Sequence, residues 1–407
     1  MVIIFICPNY TAFGQSSSVN SLSGLEAAIA NASGGEQINL LNGNYGELSI
    51  SGKNYNNFVT LKAQSDAVVF SRINIEASSN IKVDGVTIIA SGREGVGIFD
   101  NSHHIQILNS RIQGAEQFDR NEPDSSQVST LYAINVDGNA RDLLIENNNA
   151  TDVSSSAYLF EQLSDTVIRG NYCDWVASDC FKFSGADNIL FENNFGAQNV
   201  YSPDGAHVDF VQGQGDISNS IFRGNVAIMG SRTFQGLFFD DATYTNLLIE
   251  NNLIYTANNR GISVSGSKSS GIEVRYNTVL RVFGSQKATF ISLPDNSVKE
   301  FNIEANNTTK NENRFVSNGI LAQWDDEDDI AHYSDYYINA THGPYATIAD
   351  FEPITGSPAD NQFGAFARIK ELINSGTTLN PNDAPPSLDP DNTNATITPT
   401  LMLLLED

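Results

Sequence analysis

A chain of 407 residues with 40 % apolar side chains has material for a large folded core, which excludes wholesale disorder. Its 22 Lys and Arg stand against 48 Asp and Glu, a formal net charge of −26. Without a general basic surface, nucleic acid and anionic membranes are poor partners, and calcium is the cofactor ion that such an acidic balance would suit.

Residues 1–20 open on the apolar stretch Met1 to Cys7. It is too short to span a membrane and lacks a basic leader, so it reads as an N-terminal strand or a leader remnant. A capping helix follows at 21–32, with Leu22, Leu25, Ala28 and Ile29 on one face. Gly34-Gly35 ends it, and a strand follows over Gln37 to Leu41 before Gly43-Asn44-Tyr45-Gly46. Such a helix would shield the first apolar layer and its strand edge.

The dominant feature is an internal repeat. Leu144-Ile145-Glu146-Asn147-Asn148 returns as Val167-Ile168-Arg169-Gly170-Asn171, then as Leu190-Phe191-Glu192-Asn193-Asn194. Ile221 to Asn225, Leu248 to Asn252, Glu273 to Asn277 and Asn302 to Asn306 continue it. The closing Asn falls at 148, 171, 194, 225, 252, 277 and 306, and Val86 and Ser110 occupy the same column earlier. The period fits a coil of three short strands and three turns, and no Leu-rich framework with a helix per repeat is present. An Asn at a tight bend can bond the backbone of its own turn and the Asn one coil away. The expectation is therefore an all-β, single-stranded right-handed parallel β-helix over 21–320. Insertions such as Phe118 to Ser129 lengthen some coils, and in repeat folds they often border the binding site.

From 321 to 376 the repeat dissolves into a C-terminal cap region, with a short helix expected from Phe363 to Ile373; 377–407 reads as a flexible tail or linker. The acidic run Asp325 to Asp329 lacks the spacing of a calcium loop and reads as a solvated turn. Cys173 and Cys180 either pair or pack as small side chains.

Each coil carries a further strand ten to fifteen residues after its Asn corner. Alternation puts Phe181, Phe183, Val208, Phe210, Leu237, Phe239, Ile262 and Val264 inside. The opposite face then collects Glu161, Lys182, His207, Asp209, Phe238 and Asp240. His207 and Asp209 share a strand and a parity, with Lys182 in the equivalent outward column one coil earlier. His207 can exchange protons near neutral pH while Asp209 holds its tautomer.

The segment from Ser21 to Tyr45 resembles the opening of the pectate-lyase-like superfamily, through Gly35, Ile38 and Leu40, then Gly43 and Tyr45. The Asn-ended coils from about 80 to 306 resemble it too. Asp204-Gly205-Ala206-His207-Val208-Asp209 is loosely similar to the Asp-Pro-His-Glu signature of mannuronan C5-epimerases. Ser178-Asp179-Cys180-Phe181-Lys182 is similar to the Asp-Asp-Cys element of polygalacturonase-type hydrolases, with Ser178 at the first Asp; that family's Gly-His-Gly and Arg-x-Lys are missing. The resemblance implies a secreted or virion-associated protein acting on an anionic, uronic-acid-containing polysaccharide in a groove along one sheet. A polysaccharide lyase working by β-elimination is the leading expectation. Lys182, Arg260 or calcium would neutralise the sugar carboxylate and His207 would take the C5 proton. Asp179, Glu161, Phe238, Asp240 and Arg260 would contact substrate. C5 epimerisation shares the first step. An inverting hydrolase would use carboxylates among Asp179, Asp209 and Asp240, with Asp209 and Asp240 on a suitable diagonal. A non-catalytic glycan-binding or tailspike-like protein, oligomeric in the latter case, is the remaining class.

Overall fold

A computed structural model describes residues 16–119, 125–197, 208–228, 235–282, 289–306, 320–323, 334, 336–339 and 346–376. His207, the 325–329 run and the 377–407 tail lie outside the described residues.

The repeat folds as a parallel β-solenoid of three walls, and the strand pairings between coils are all parallel. One wall carries the strand before each Asn corner, the second the short strand after it, and the third the strand beyond the next corner. Inward side chains stack coil upon coil because strands sit one ladder spacing apart, ~4.8 Å. On the third wall Tyr158 lies on Phe181, ring centroids 4.6 Å apart, and Phe183, Phe191, Phe210 and Phe222 extend the aromatic interior. This apolar column is what the repeat buries, and no single coil could bury it alone.

The N-terminal helix runs Leu22–Asn31, and Ser21 caps it by accepting the Gly24 N–H at 3.2 Å. Leu25 and Ile29 are buried against the first coil, as its apolar face requires. Ahead of it, Ser16–Val19 already pairs with Gln37–Leu40 as a strand.

At the Asn corners, each side chain links two coils. Asn171 Nδ2 donates to the Ile145 carbonyl of the preceding coil at 2.8 Å and to Asn194 Oδ1 of the next at 3.0 Å. The Asn171 backbone N–H shares that same acceptor. The backbone partner is thus chiefly the coil below, where the sequence suggested the residue's own turn. Among the described residues the ladder runs from Ser110 through Asn148 to Asn302: Asn277 donates to Asn302 Oδ1 at 2.8 and 3.0 Å. The corner of the last repeat is thus Asn302, four residues before Asn306, because Ile303 pairs with Thr278 as the start of the second-wall strand.

Beside this ladder runs a second one of alternating charge. Register places Glu146, Arg169, Glu192, Arg223, Glu250, Arg275 and Glu300 in one column. Arg169 reaches Glu146 at 2.7 Å, Arg223 reaches Glu192 at 2.9 Å and Arg275 reaches Glu250 at 3.0 Å. The Glu coils continue with Asn147, Asn193 and Asn251, while the Arg coils at 169 and 223 continue with Gly170 and Gly224. The reason is steric: a Cβ on Gly170 would stand 2.2 Å from Asn147 Oδ1, and one on Gly224 2.4 Å from Asn193 Oδ1. The true repeat in this part of the solenoid is therefore two coils long.

The C-terminal segment lies along the second wall. Phe351, Ile369 and Leu372 pack on Val226, Leu253, Tyr255 and Leu280. Arg368 Nε donates to the Gly224 carbonyl at 3.0 Å, several coils back from where the solenoid's last described strand pairs. The helix spans Phe366–Asn374 rather than starting at Phe363, because Gly364 has φ +73° and its N–H donates to the Phe301 carbonyl.

Candidate functional site

The third wall positions the site. Strands Tyr158–Arg169, Phe181–Glu192, Asp209–Gly213, Gln235–Phe239 and Arg260–Val264 lie side by side. Their register puts Leu159, Lys182, Gln212, Phe238 and Ser263 in one outward column. Lys182 is half-buried there, as the alternation predicts.

Asp209 departs from the expected placement. Lys182 pairs with Gln212, so Asp209 is not in its column. Asp209 opens its strand at the corner, level with Asp179: the Cys180 N–H donates to the Asp209 carbonyl at 2.9 Å and the Asp209 N–H to Asp179 Oδ1 at 3.1 Å. At such a corner the chain is still turning into the wall and period two does not yet hold. Asp209 is fully buried instead of facing solvent, and Asp179 is 1 % exposed.

The two carboxyls share one electrostatic environment. Burial pushes Asp179 up to about 7, opposed by the Lys182 charge, the Asp209 N–H and the Ser178 and Ser156 hydroxyls. Burial, and then the neighbouring Asp179, push Asp209 well above the usual carboxylate range, opposed by Arg260 and Lys182. Neither Asp209 carboxyl oxygen has a hydrogen-bond donor among the described residues, which suits the neutral acid. At neutral pH the pair therefore keeps at least one proton. The positive charges of Lys182 and Arg260 then outnumber the negative charge between them.

Arg260 and Phe238 belong together. The Arg260 guanidinium carbon sits 4.5 Å from the centroid of the Phe238 ring. Phe238 lies in the outward column as expected, yet it is 4 % exposed and not an open platform. Glu161 pairs with Ser184, two residues beyond the Leu159 and Lys182 pair, which puts it diagonal to Lys182 at ~8 Å between backbones.

Asp240 is elsewhere. The residue level with Asp209 is Gln235, and Asp240 follows it by five positions, ~16 Å along the wall. The diagonal pairing of Asp209 with Asp240 is thus ruled out by register. Asp240 accepts from Ser265 Oγ and the Asp241 N–H, and with Asp216 and Asp241 it lines a hollow of 540 Å³ at the opposite corner. Asp216 Oδ1 accepts the Thr243 N–H at 2.8 Å, so these acids cap turns. Among the described residues no group of three or more His, Cys, Asp or Glu converges in a way that could hold a metal ion.

Two further features close in on this corner. Cys173 and Cys180 form a disulfide that closes the turn ending in Asp179. The insertion after Gly114 packs Phe118 and Val128 on Ala177 and Trp175 of that same turn. Counting the period forward from Asn148 and Asn171 would have put the insertion one to two coils from Asp179; nothing in the sequence gives the direction in which it folds.

These observations define a parallel β-helix protein whose third wall places Lys182 and Arg260 each within electrostatic reach of a buried acid pair. No family model matches the chain, and no curated protein matches it. Among solved structures it is similar to an alginate lyase from Paenibacillus sp. str. FPU-7, with 13 % identity, TM-score 0.48 and coverage of 70 % of this chain and 99 % of that one. It is also similar to pectate lyase Pel9A, at 12 % identity and TM-score 0.43, covering 86 % of this chain and 92 % of the other. For the Dettilon tailspike protein the values are 13 % and 0.42, with 70 % and 57 % covered. No helix among the described residues is long and apolar enough to cross a membrane.

Proposed function

We propose that the protein is a polysaccharide lyase that cleaves an acidic, uronic-acid-containing glycan by β-elimination at the third wall. The observation that carries this reading is the placement of Lys182 and Arg260, both half-buried, beside the buried carboxyls of Asp179 and Asp209, whose protonated forms burial favours. In a chain of net charge −26, an anionic sugar needs a local positive site, and this wall supplies one with neutral Gln212 and Ser263 in the same outward column.

In this mechanism Arg260 and Lys182 hold the sugar carboxylate and stabilise the charge that develops as the C5 proton leaves. His207, two residues before Asp209 in sequence, takes that proton. The C5–H electron pair becomes the C4–C5 double bond, the C4–O4 bond breaks, and water protonates the departing oxygen. In this reading Asp179 and Asp209, both buried, set the charge beneath the two cations. The test is a screen of anionic polysaccharides, with and without calcium. New ends absorbing in the ultraviolet support elimination. Unchanged chain length with altered stereochemistry would replace it by C5 epimerisation, and binding without any turnover by a glycan-binding role.

Asp179 near pH 7 favours one competing reading, an acid-assisted glycoside hydrolase on the Asp179 and Asp209 pair. New reducing ends without ultraviolet absorbance would favour this reading.

A further inference from the structure

Phe238 stands where a sugar could stack, but Arg260 occupies it. Arg260 starts its strand at a β-bulge: Arg260 pairs with Phe290 and Ile262 with Ile291, so Gly261 is the extra residue. A Cβ on Gly261 would meet Val279 Cγ1 at 2.1 Å, so the bulge needs glycine there. Bulges re-aim the side chains next to them. Here Arg260 leaves the corner level shared with Asp209 and Gln235 and reaches the Phe238 ring, one coil back and three residues further along the wall. That ring lies in the outward column of Lys182, two coils away or ~10 Å.

We propose that Phe238 is a positioning residue: its ring holds the Arg260 guanidinium in the Lys182 column, so that Arg260 reads the sugar carboxylate and sets the preference for uronates over neutral sugars. This rests on the elimination reading above for its substrate. The placement itself does not, because Arg260 also acts on Asp209 through space. Releasing Arg260 from the ring withdraws a positive charge from the Asp209 carboxyl, which then titrates still higher.

The experiment compares wild type, Phe238→Leu and Phe238→Tyr on a uronan and on its methyl-esterified form, with carboxyl ¹³C NMR titration of each protein. Phe238→Leu keeps an apolar side chain and removes the ring; Phe238→Tyr keeps the ring. The expected result is a KM for the uronan raised about three- to tenfold in Phe238→Leu, with kcat changed less than about twofold. KM on the esterified polymer stays level, Phe238→Tyr behaves as wild type, and the Asp209 midpoint rises only in the Leu variant. An unchanged KM, an equal change on both polymers, or no rescue by Tyr overturns the proposal. If wild type cleaves no uronan, the elimination reading falls and the titration alone decides. A higher Asp209 midpoint in Phe238→Leu then supports the placement, and an unchanged one overturns it.

Discussion

Asp179 and Asp209 are joined through the backbone of one and the side chain of the other: the Asp209 N–H donates to Asp179 Oδ1 at 3.1 Å, while the Asp209 carboxyl is buried without a donor among the described residues. The native state thus binds protons that the unfolded chain has already released above the ordinary Asp range near pH 4. With more protons bound in the native state, stability falls as pH rises between the unfolded values and the raised native ones.

The pair therefore contributes instability from about pH 4 up to and beyond about pH 7, where Asp179 loses its proton. Asp209→Asn removes one titrating acid and the repulsion on the other. Urea unfolding at pH 5 and pH 8 should show wild type losing more stability than Asp209→Asn over that interval. Equal pH dependence in the two proteins would mean that the acids are solvated and ordinary.

The corner ladder sets a second expectation. Asn194 Oδ1 accepts both the Asn171 N–H and Nδ2, and Asn194 Nδ2 donates to the Ile168 carbonyl at 2.9 Å. Asn194→Ala strands these groups in a fully buried corner. The loss should be roughly 3 kcal/mol in chemical denaturation, since each orphaned buried group costs about 1 to 3 kcal/mol. A loss below about 1 kcal/mol would show that water replaces the ladder.

Two glycines separate backbone strain from contact. Gly170 and Gly46 both have positive φ, +64° and +69°, but only Gly170 faces a neighbour within 4 Å, Asn147 Oδ1. Gly46→Ala should cost about 1 kcal/mol, the left-handed penalty alone. Gly170→Ala should cost distinctly more, and Asn147→Gly introduced with it should recover the difference. Equal costs at both sites would remove the steric basis of the two-coil repeat.

Much of this architecture is legible in the sequence because its causes are local and repeated. The Asn column, the inward Phe181 and Phe183 and the Ser21-capped helix all follow from spacing and side-chain chemistry. The alternation of Glu-Asn-Asn with Arg-Gly-Asn was in plain view, yet its meaning needed the register that stacks Arg169 on Glu146. The site is legible only in part. Lys182, second in its strand, keeps its parity, whereas Asp209 opens its strand at a corner, and counting by two fails there. Arg260 meets Phe238 beside a bulge that no periodicity announces.

The disulfide gives a prediction at the turn that carries Asp179. Non-reducing digestion and mass spectrometry should recover Cys173 joined to Cys180. The Cys173→Ser, Cys180→Ser double variant should lose about 2 to 3 kcal/mol, the chain-entropy scale for so short a loop. Recovery of both cysteines as free thiols would contradict the pairing.

The central claim is that Lys182 and Arg260 grip a sugar carboxylate while its C5 proton is removed. Its most direct test follows ultraviolet absorbance of new unsaturated ends from a uronan that the wild-type protein cleaves, in Lys182→Ala and Arg260→Gln. Each variant should stay folded and lose at least roughly a hundredfold in kcat/KM, the scale set by removing one preorganised charge from a developing anion. A folded variant of either kind that cleaves at the wild-type rate would contradict it.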